Sequence, residues 1–200
     1  MFEKFKKTVC EANVKFYESG LDDFSLGGIS FIDRRHKIVI FRPLLPYCQM
    51  NYEKMLVYSL DGEALCDGEF DLPADCEYHL ALYKSLPFVN AVAHITAPDV
   101  AAWAQAGRNI PAYGKIHTEI FGGDILCFDG PDAESFAQNI NNSFSSGDFS
   151  GVSNGAVLLS NDSGFVFSES IDGAVEYSRY LNSVSSLALK TEILSSLAED

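Results

Sequence analysis

Three times along this chain, two short apolar runs are joined by a tight polar turn, and helix-length segments fill the intervals between these pairs. "ISFID" and "KIVIFRP" flank the charged turn "RRH". "MLVYSL" and "EALCDG" flank Asp61-Gly62, a two-residue hairpin signal. "GAVLLSN" and "GFVFSES" flank a turn around Asp162, Ser163 and Gly164. Each pair reads as an antiparallel hairpin. Hairpins alternating with helices in one chain predict a largely antiparallel sheet sandwiched by helices.

The helical segments carry their own signals. Phe2, Phe5, Val9, Ala12 and Phe16 recur at steps of three and four, one apolar stripe. Asp75 stands where an N-cap for "CEYHLALYKSL" is expected. Pro98 opens "PDVAAWAQAG", and Gly107 stops it. "DAESFAQNINNSFSS" reads as a polar-faced helix, and a last helix starts near Ser170, capped by it or by Asp172. "FVNAVAHI" reads as a buried strand, and "KIHTEIF" and "DILCF" as further strands. "SFSSGDFSGVSNG" reads as a loop rather than a domain boundary, so residues 1–200 are expected to form a single domain.

The acidic balance narrows the partners. With 14 basic against 28 acidic residues, the net charge is -14, which repels phosphate backbones and anionic membranes. No nucleic-acid or membrane partner is expected. No apolar run reaches the roughly 18 residues of a membrane span, and the charged N-terminus does not read as a secretory signal. Five cysteines are widely spaced, with no CxxC pair. They suit free thiols in a reducing cytoplasm.

The wording of one long stretch goes further. "HLALYKSLPFVNAVAHITAPDVAAWAQAGRNIPAYGKIHTEIFGGDILC", with weaker support from "SLGGISFIDRRHKIVIFRP" and "GAVLLSNDSGFVFSESIDGAVE", resembles the class II aldolase/adducin family. The similarity is strongest to the L-ribulose-5-phosphate 4-epimerase and L-fuculose-phosphate aldolase branch. The resemblance implies an α/β fold, a three-layer α/β/α sandwich with a largely antiparallel central sheet. It implies retro-aldol or epimerase chemistry on a sugar phosphate, with a zinc ion held by three histidines polarising substrate oxygens. It also implies a homo-oligomer, commonly a tetramer.

Carried over position by position, the resemblance puts the first metal histidine on His94, the second on Thr96 and the third on Asp162 or close to it in "SNDSG". A threonine hydroxyl is a poor zinc ligand, so no cofactor is expected, with zinc or manganese possible only if the site is rebuilt. The family's carboxylate before the central helix falls on Asp75, and its acid/base aspartate on Glu119. The phosphate-holding serines become Pro73 and Ala74, the glycine turn becomes Gly27-Gly28, and the basic phosphate turn becomes "RPLLP" with Arg42. No histidine follows His117 and the last tyrosine is Tyr180, so the family's C-terminal catalytic pair is expected to be missing.

Each of these residues also has a plain structural reading. His94 can be a hydrogen-bonded core histidine, Asp75 a helix cap, Asp162 a turn residue, and His117 with Glu119 a structural pair on one strand face. His36 and His79 read as solvated or boundary residues, and Trp103 as helix packing. Two functions follow. The first is a family member that has lost the zinc-dependent reaction and acts by binding or assembly. The second is an active metal-dependent aldolase or epimerase with a rebuilt site, acting on a small hydroxy-carbonyl or sugar phosphate. A small-molecule sensor or accessory subunit is a third possibility.

Overall fold

The computed structural model describes residues 2–66, 70–146 and 154–198. The elements run α1 (Glu3–Glu18), β1 (Gly28–Asp33), β2 (Ile38–Phe41), β3 (Leu56–Ser59), α2 (Cys76–Ser85), β4 (Ala91–Ile95), α3 (Pro98–Gln105), α4 (Lys115–Phe121), β5 (Cys127–Phe128), α5 (Ala133–Ser146), β6 (Asn154–Leu159), β7 (Gly164–Ser168) and α6 (Ile171–Ser196).

The strands form one sheet in the order β3-β2-β1-β4-β7-β6-β5. Every pairing is antiparallel except β5 with β6, which is parallel. The expected largely antiparallel sheet is therefore a mixed one, antiparallel in most of its pairings. The reason lies in "DILCF", where only Cys127 and Phe128 pair, and the segment enters the edge alongside β6 rather than through a hairpin.

Helices cover both faces of the sheet. β4 lies in the middle and all five of its residues are buried, which is why it reads as an unbroken apolar run. Strand alternation sends Ala91, Ala93 and Ile95 to the face that packs with α1, α3 and α6 residues such as Phe16, Val100, Trp103 and Leu181. Val92 and His94 point the other way. Val92 joins Leu82, Phe136, Ile140 and Phe165, the core beneath α2 and α5.

The helix signals hold. Val9, Ala12 and Phe16 form the buried stripe of α1. Ser170 caps α6 by accepting from the Gly173 N–H at 3.1 Å. Trp103 donates its indole N–H to the Ser185 carbonyl at 3.1 Å, pinning α3 to α6. The β3 hairpin is abbreviated: the return arm is held by the Tyr58–Ala64 bridge, the Ser59 N–H to Glu63 carbonyl bond of 2.8 Å and the Leu65 N–H to Val57 carbonyl bond of 2.9 Å. Residues 67–69, the last two of "EALCDG" and the one after it, and 147–153, in the expected loop, lie outside the described residues.

"KIHTEIF" is a helix, not a strand. Its apolar residues fit a helical stripe, because Ile116, Ile120 and Phe121, with His117, fall at steps of one, three and four. Gly114 and Gly122 bracket it, the latter at φ 80° in the left-handed region that ends helices. Among the described residues, no helix is long and apolar enough to cross a membrane.

Candidate functional site

His94 sits near the end of β4, opposite Gly28 on β1 and Phe165 on β7. Its imidazole stacks on the Phe165 ring at 4.6 Å with 14° between planes. Both ring nitrogens are engaged. Nδ1 lies 2.8 Å from Asp75 Oδ2, and Nε2 lies 2.5 Å from Ser163 Oγ. Ser163 in turn donates to Asp162 Oδ1 at 3.3 Å. The β6–β7 turn thus closes a line of four side chains: Asp75, His94, Ser163, Asp162.

The protonation states follow from this line. Burial pushes the His94 pKa down, but the carboxylates of Asp162 and Asp75 outweigh it and hold the pKa at about 9. Burial pushes Asp75 up, and the neighbouring His79 and His94 rings overcome it, so its carboxyl stays well below the usual range. Asp162 is lowered by His94, 3.7 Å from its Oδ1. At neutral pH His94 is an imidazolium between two carboxylates, donating from both nitrogens.

A second arm leaves Asp75. His79 Nε2 lies 3.4 Å from Asp75 Oδ2 but is not aligned for a hydrogen bond and has no other partner. Its Nδ1 meets Ser30 Oγ at 2.7 Å, Ser30 meets Tyr83 Oη at 2.7 Å, and Tyr83 accepts from the Val92 N–H at 3.1 Å. Asp75 occupies the N-cap position of α2 yet its carboxylate makes no cap bond there. It has exchanged a cap of about 1 kcal/mol for a charge-assisted bond to His94.

Thr96 belongs to a different network. Its hydroxyl donates to Asp22 Oδ1 at 2.7 Å. Asp22 also accepts from the backbone N–H groups of Leu26 and Gly27, both at 3.0 Å, and from Tyr47 Oη at 2.8 Å. Arg42, only 2% exposed, completes it. Its guanidinium donates to the carbonyls of Ser25, Gly27, Pro43 and Leu45 and lies 3.7 Å from Asp22 Oδ2. A Cβ on Gly27 would come within 2.3 Å of the His94 carbonyl, and one on Gly28 within 2.7 Å of the Arg42 side chain. The glycine pair lets the loop close on β4 and on Arg42. The cavity left among Gly27, Gly28, Arg42, Pro73, Asp75 and His79 is about 10 Å³, the size of one water.

These residues do not fit a zinc ion. Zinc favours nitrogen, sulfur and carboxylate ligands in a closed tetrahedron. Beside His94 Nε2 stand a neutral hydroxyl and one carboxylate, and Thr96 is turned to Asp22. Among the described residues, no group of three His, Cys, Asp or Glu side chains is placed to hold a metal ion. The order Ser163–His94–Asp75 matches a nucleophilic triad in hydrogen bonding alone. Ser163 is 2% exposed, and an imidazole that is already protonated cannot take its proton.

The structure brings together Asp75, His94 and Asp162, and separates Thr96 and Glu119 from them. Glu119 lies exposed on α4, paired with Lys115 at 3.4 Å. His117 and Glu119 do not share a face: two residues apart on a helix they diverge, and His117 is buried while Glu119 is exposed. His79 is buried, not solvated. Sequence reasoning missed Ser30, Asp22 and Tyr83, and it named Ser163 only as part of the turn around Asp162. The one available signal was alternation, which puts Ser30 on the face of β1 that meets α2.

Comparison with known proteins agrees with this architecture. The family model for the Class II Aldolase and Adducin N-terminal domain matches residues 7–189. The chain is 37% identical over 126 residues, 62% of its length, to L-ribulose-5-phosphate 4-epimerase UlaF of Salmonella typhi and of Salmonella paratyphi A. It spans 55% of the length of those relatives. An L-fuculose 1-phosphate aldolase structure superposes with a TM-score of 0.80 at 16% identity, covering 96% of this chain and 87% of that one. The L-fuculose-1-phosphate aldolase of Thermus thermophilus gives 0.73 at 12% identity, covering 98% of each chain. With the family model matched over most of its length, the chain belongs to the class II aldolase and adducin N-terminal domain family.

Proposed function

We propose that this protein does not run the zinc-dependent sugar-phosphate aldolase or epimerase reaction, and that it acts by binding or assembly. One observation carries the reading: both nitrogens of His94 are committed to internal partners, Asp75 at 2.8 Å and Ser163 at 2.5 Å. A metal-binding imidazole would need one of these nitrogens to turn a free lone pair to the ion. The buried Arg42 supports the same reading, since a guanidinium spent on four carbonyls has little left for a phosphate. Pro73 offers no N–H.

Assembly has a candidate surface beside the same network. Phe24, Leu26 and Leu44 are 64%, 58% and 43% exposed, and Arg42 ties their loops together through the Ser25 and Leu45 carbonyls. Apolar side chains presented together favour a protein partner, and a homo-oligomer, with a tetramer as its size, is the reading we adopt. Five free cysteines fit a cytoplasmic setting.

A second reading keeps the enzyme. The identity to ribulose-phosphate epimerases, and the half-exposed Asp162 carboxylate 3.7 Å from His94 Nε2, favour an active aldolase or epimerase with a rebuilt manganese or zinc site. Metal analysis of the purified protein decides, followed by assays of L-ribulose 5-phosphate epimerisation and L-fuculose 1-phosphate cleavage with zinc or manganese added. The first reading expects substoichiometric metal and no turnover. Tight stoichiometric metal, or turnover of either sugar phosphate, overturns it.

A further inference from the structure

The turn between β1 and β2 and the end of β3 line a groove of about 640 Å³, with Arg34 in its wall. The guanidinium is fixed. Nη2 donates to the carbonyls of Tyr83, Leu86 and Val89 at 3.2, 2.9 and 2.5 Å, where α2 gives way to β4. Nε is enclosed, while Nη1 bonds to nothing among the described residues and is open to solvent. Among the described residues no carboxylate pairs with this half-buried cation, although the chain carries 28 acidic residues against 14 basic. We propose that the groove binds a small monocarboxylate with an apolar body, its carboxylate held by Arg34 and Lys37.

The same walls carry two more donors that the chain does not use. Lys37 is exposed and, among the described residues, has no carboxylate partner. Its carbonyl accepts from the Leu60 N–H at 3.1 Å, which ties the turn to the opposite wall. Ser59 Oγ accepts from the N–H groups of Asp61 and Glu63 at 3.2 and 3.1 Å, so its own proton is left to a ligand. The other charged groups lining the groove have partners: His36 Nδ1 lies 2.6 Å from Asp33 Oδ2, and Asp61 lies 3.8 Å from Lys84. A monoanion supplies the counter-charge that Arg34 lacks. A phosphate fits less well. With Nη2 spent and Nε enclosed, Arg34 has no two-pronged edge to offer, and Asp61 in the same wall repels a second negative charge. Ile32, Leu60 and Leu65 give the ligand body an apolar surface, and the volume falls in the range of small-molecule sites. The groove shares no residue with the His94 cluster, so the assignment stands apart from the question of sugar-phosphate chemistry.

The test uses the full chain with 4-phenylbutyrate and 4-phenylbutyramide, which share a shape and differ in charge. Calorimetric isotherms are recorded alongside backbone amide spectra. The carboxylate is expected to bind about tenfold more tightly than the amide, as charge-assisted hydrogen bonds require, and to shift the Lys37 and Ser59 resonances. Lys37 stands at φ 55°, a conformation that asparagine tolerates, so Lys37→Asn should fold and weaken the carboxylate about threefold. Arg34→Lys keeps the charge without the fixed plane and should lose most of the preference; should it not fold, Lys37→Asn decides. Arg35→Gln, on the same turn but outside the groove, should change nothing. Equal affinities for acid and amide, no binding, or a loss in Arg35→Gln matching that in Lys37→Asn overturns the assignment. Inorganic phosphate that displaces the carboxylate at equal concentration also overturns it, because any anion would then serve.

Discussion

His94 Nδ1 and Asp75 Oδ2 lie 2.8 Å apart across the gap between β4 and the start of α2. This one bond turns a helix-cap residue away from its helix and fixes the ring so that its other nitrogen meets Ser163. A buried cation is thereby held inside the protein by carboxylates, with the proton on the imidazole supplying the positive charge.

The pH dependence of stability follows in sign. The folded-state pKa of His94, about 9, lies above its ordinary value of 6.5. Its contribution is complete below pH 6.5 and is lost as pH rises through 9. Asp75 is depressed, so its contribution holds above the ordinary 3.8 and is lost as pH falls below it. Stability should be greatest between about pH 4 and 6.5 and fall on the alkaline side by on the order of 3 kcal/mol, shared between the partners. Thermal melts of wild type and His94→Gln across this range check it. The variant should melt lower and lack the alkaline slope; a wild type flat from pH 6 to 10 would remove the imidazolium.

Arg42 should be structural rather than ligand-binding. Arg42→Ala strips a buried cation from Asp22 and from four carbonyls, and breaking a buried pair costs about 3–5 kcal/mol. Arg42→Lys should recover only part, because an ammonium cannot fork to so many acceptors. Urea denaturation gives both values. Inorganic phosphate should leave the wild-type midpoint unchanged, and phosphate stabilisation that disappears in Arg42→Lys would show an anion site there.

Gly27 and Gly114 offer a paired comparison. An added Cβ at Gly27 would lie 2.3 Å from the His94 carbonyl, whereas at Gly114 it meets nothing within 4 Å. Backbone cannot yield as a side-chain tip can, so Gly27→Ala is expected to lose more than about 2 kcal/mol, against about 0.5 kcal/mol or less for Gly114→Ala. Similar losses at the two positions would mean that the loop before β1 moves freely from β4.

The patch of Phe24, Leu26 and Leu44 sets a test of assembly. Leu44→Asp puts a charge on a surface residue that is 43% exposed, so folding should survive with a change of about 0.5 kcal/mol. Light scattering should show a smaller native mass than wild type. An unchanged mass, or a wild-type monomer, removes this patch as the contact surface.

Much of the scaffold was legible because it depends on local patterns. The stripe of α1, the Pro98 start of α3 and the Ser170 cap each need only a few neighbouring residues. Failures came where one pattern served two periods. "KIHTEIF" is short and holds the strand-favouring Ile116, Thr118, Ile120 and Phe121, yet its Ile116, His117, Ile120 and Phe121 also fit a helical stripe, and the bracketing glycines decide the matter. Of the site, His94, Asp75 and Asp162 could be named by resemblance, but their bonding could not. Ser163 joins them only because the β6–β7 turn brings it to β4, and Asp22 meets Thr96 across 74 positions of sequence. Partnerships at that range are made by topology, and no spacing rule exposes them.

The strand frame around His94 gives a way to separate loss of the metal from loss of the phosphate cradle. Thr96→His combined with Asp162→His places imidazoles at the two positions to which the resemblance assigns the family's other metal histidines. Thr96 is buried and bonded to Asp22, so the larger ring should cost about 1–3 kcal/mol without zinc. Asp162 is half exposed, and its replacement removes one of the carboxylates that keep His94 charged. A neutral His94 regains a lone pair. Zinc should then raise the melting temperature of the double variant and leave wild type unmoved, since a ligand stabilises the state it binds by mass action. Turnover of sugar phosphate should stay absent, because Arg42 and Pro73 still close the neighbouring cavity to about 10 Å³. Zinc stabilisation of wild type would restore the enzyme reading, while zinc-dependent turnover in the double variant would show that the cradle had never been lost.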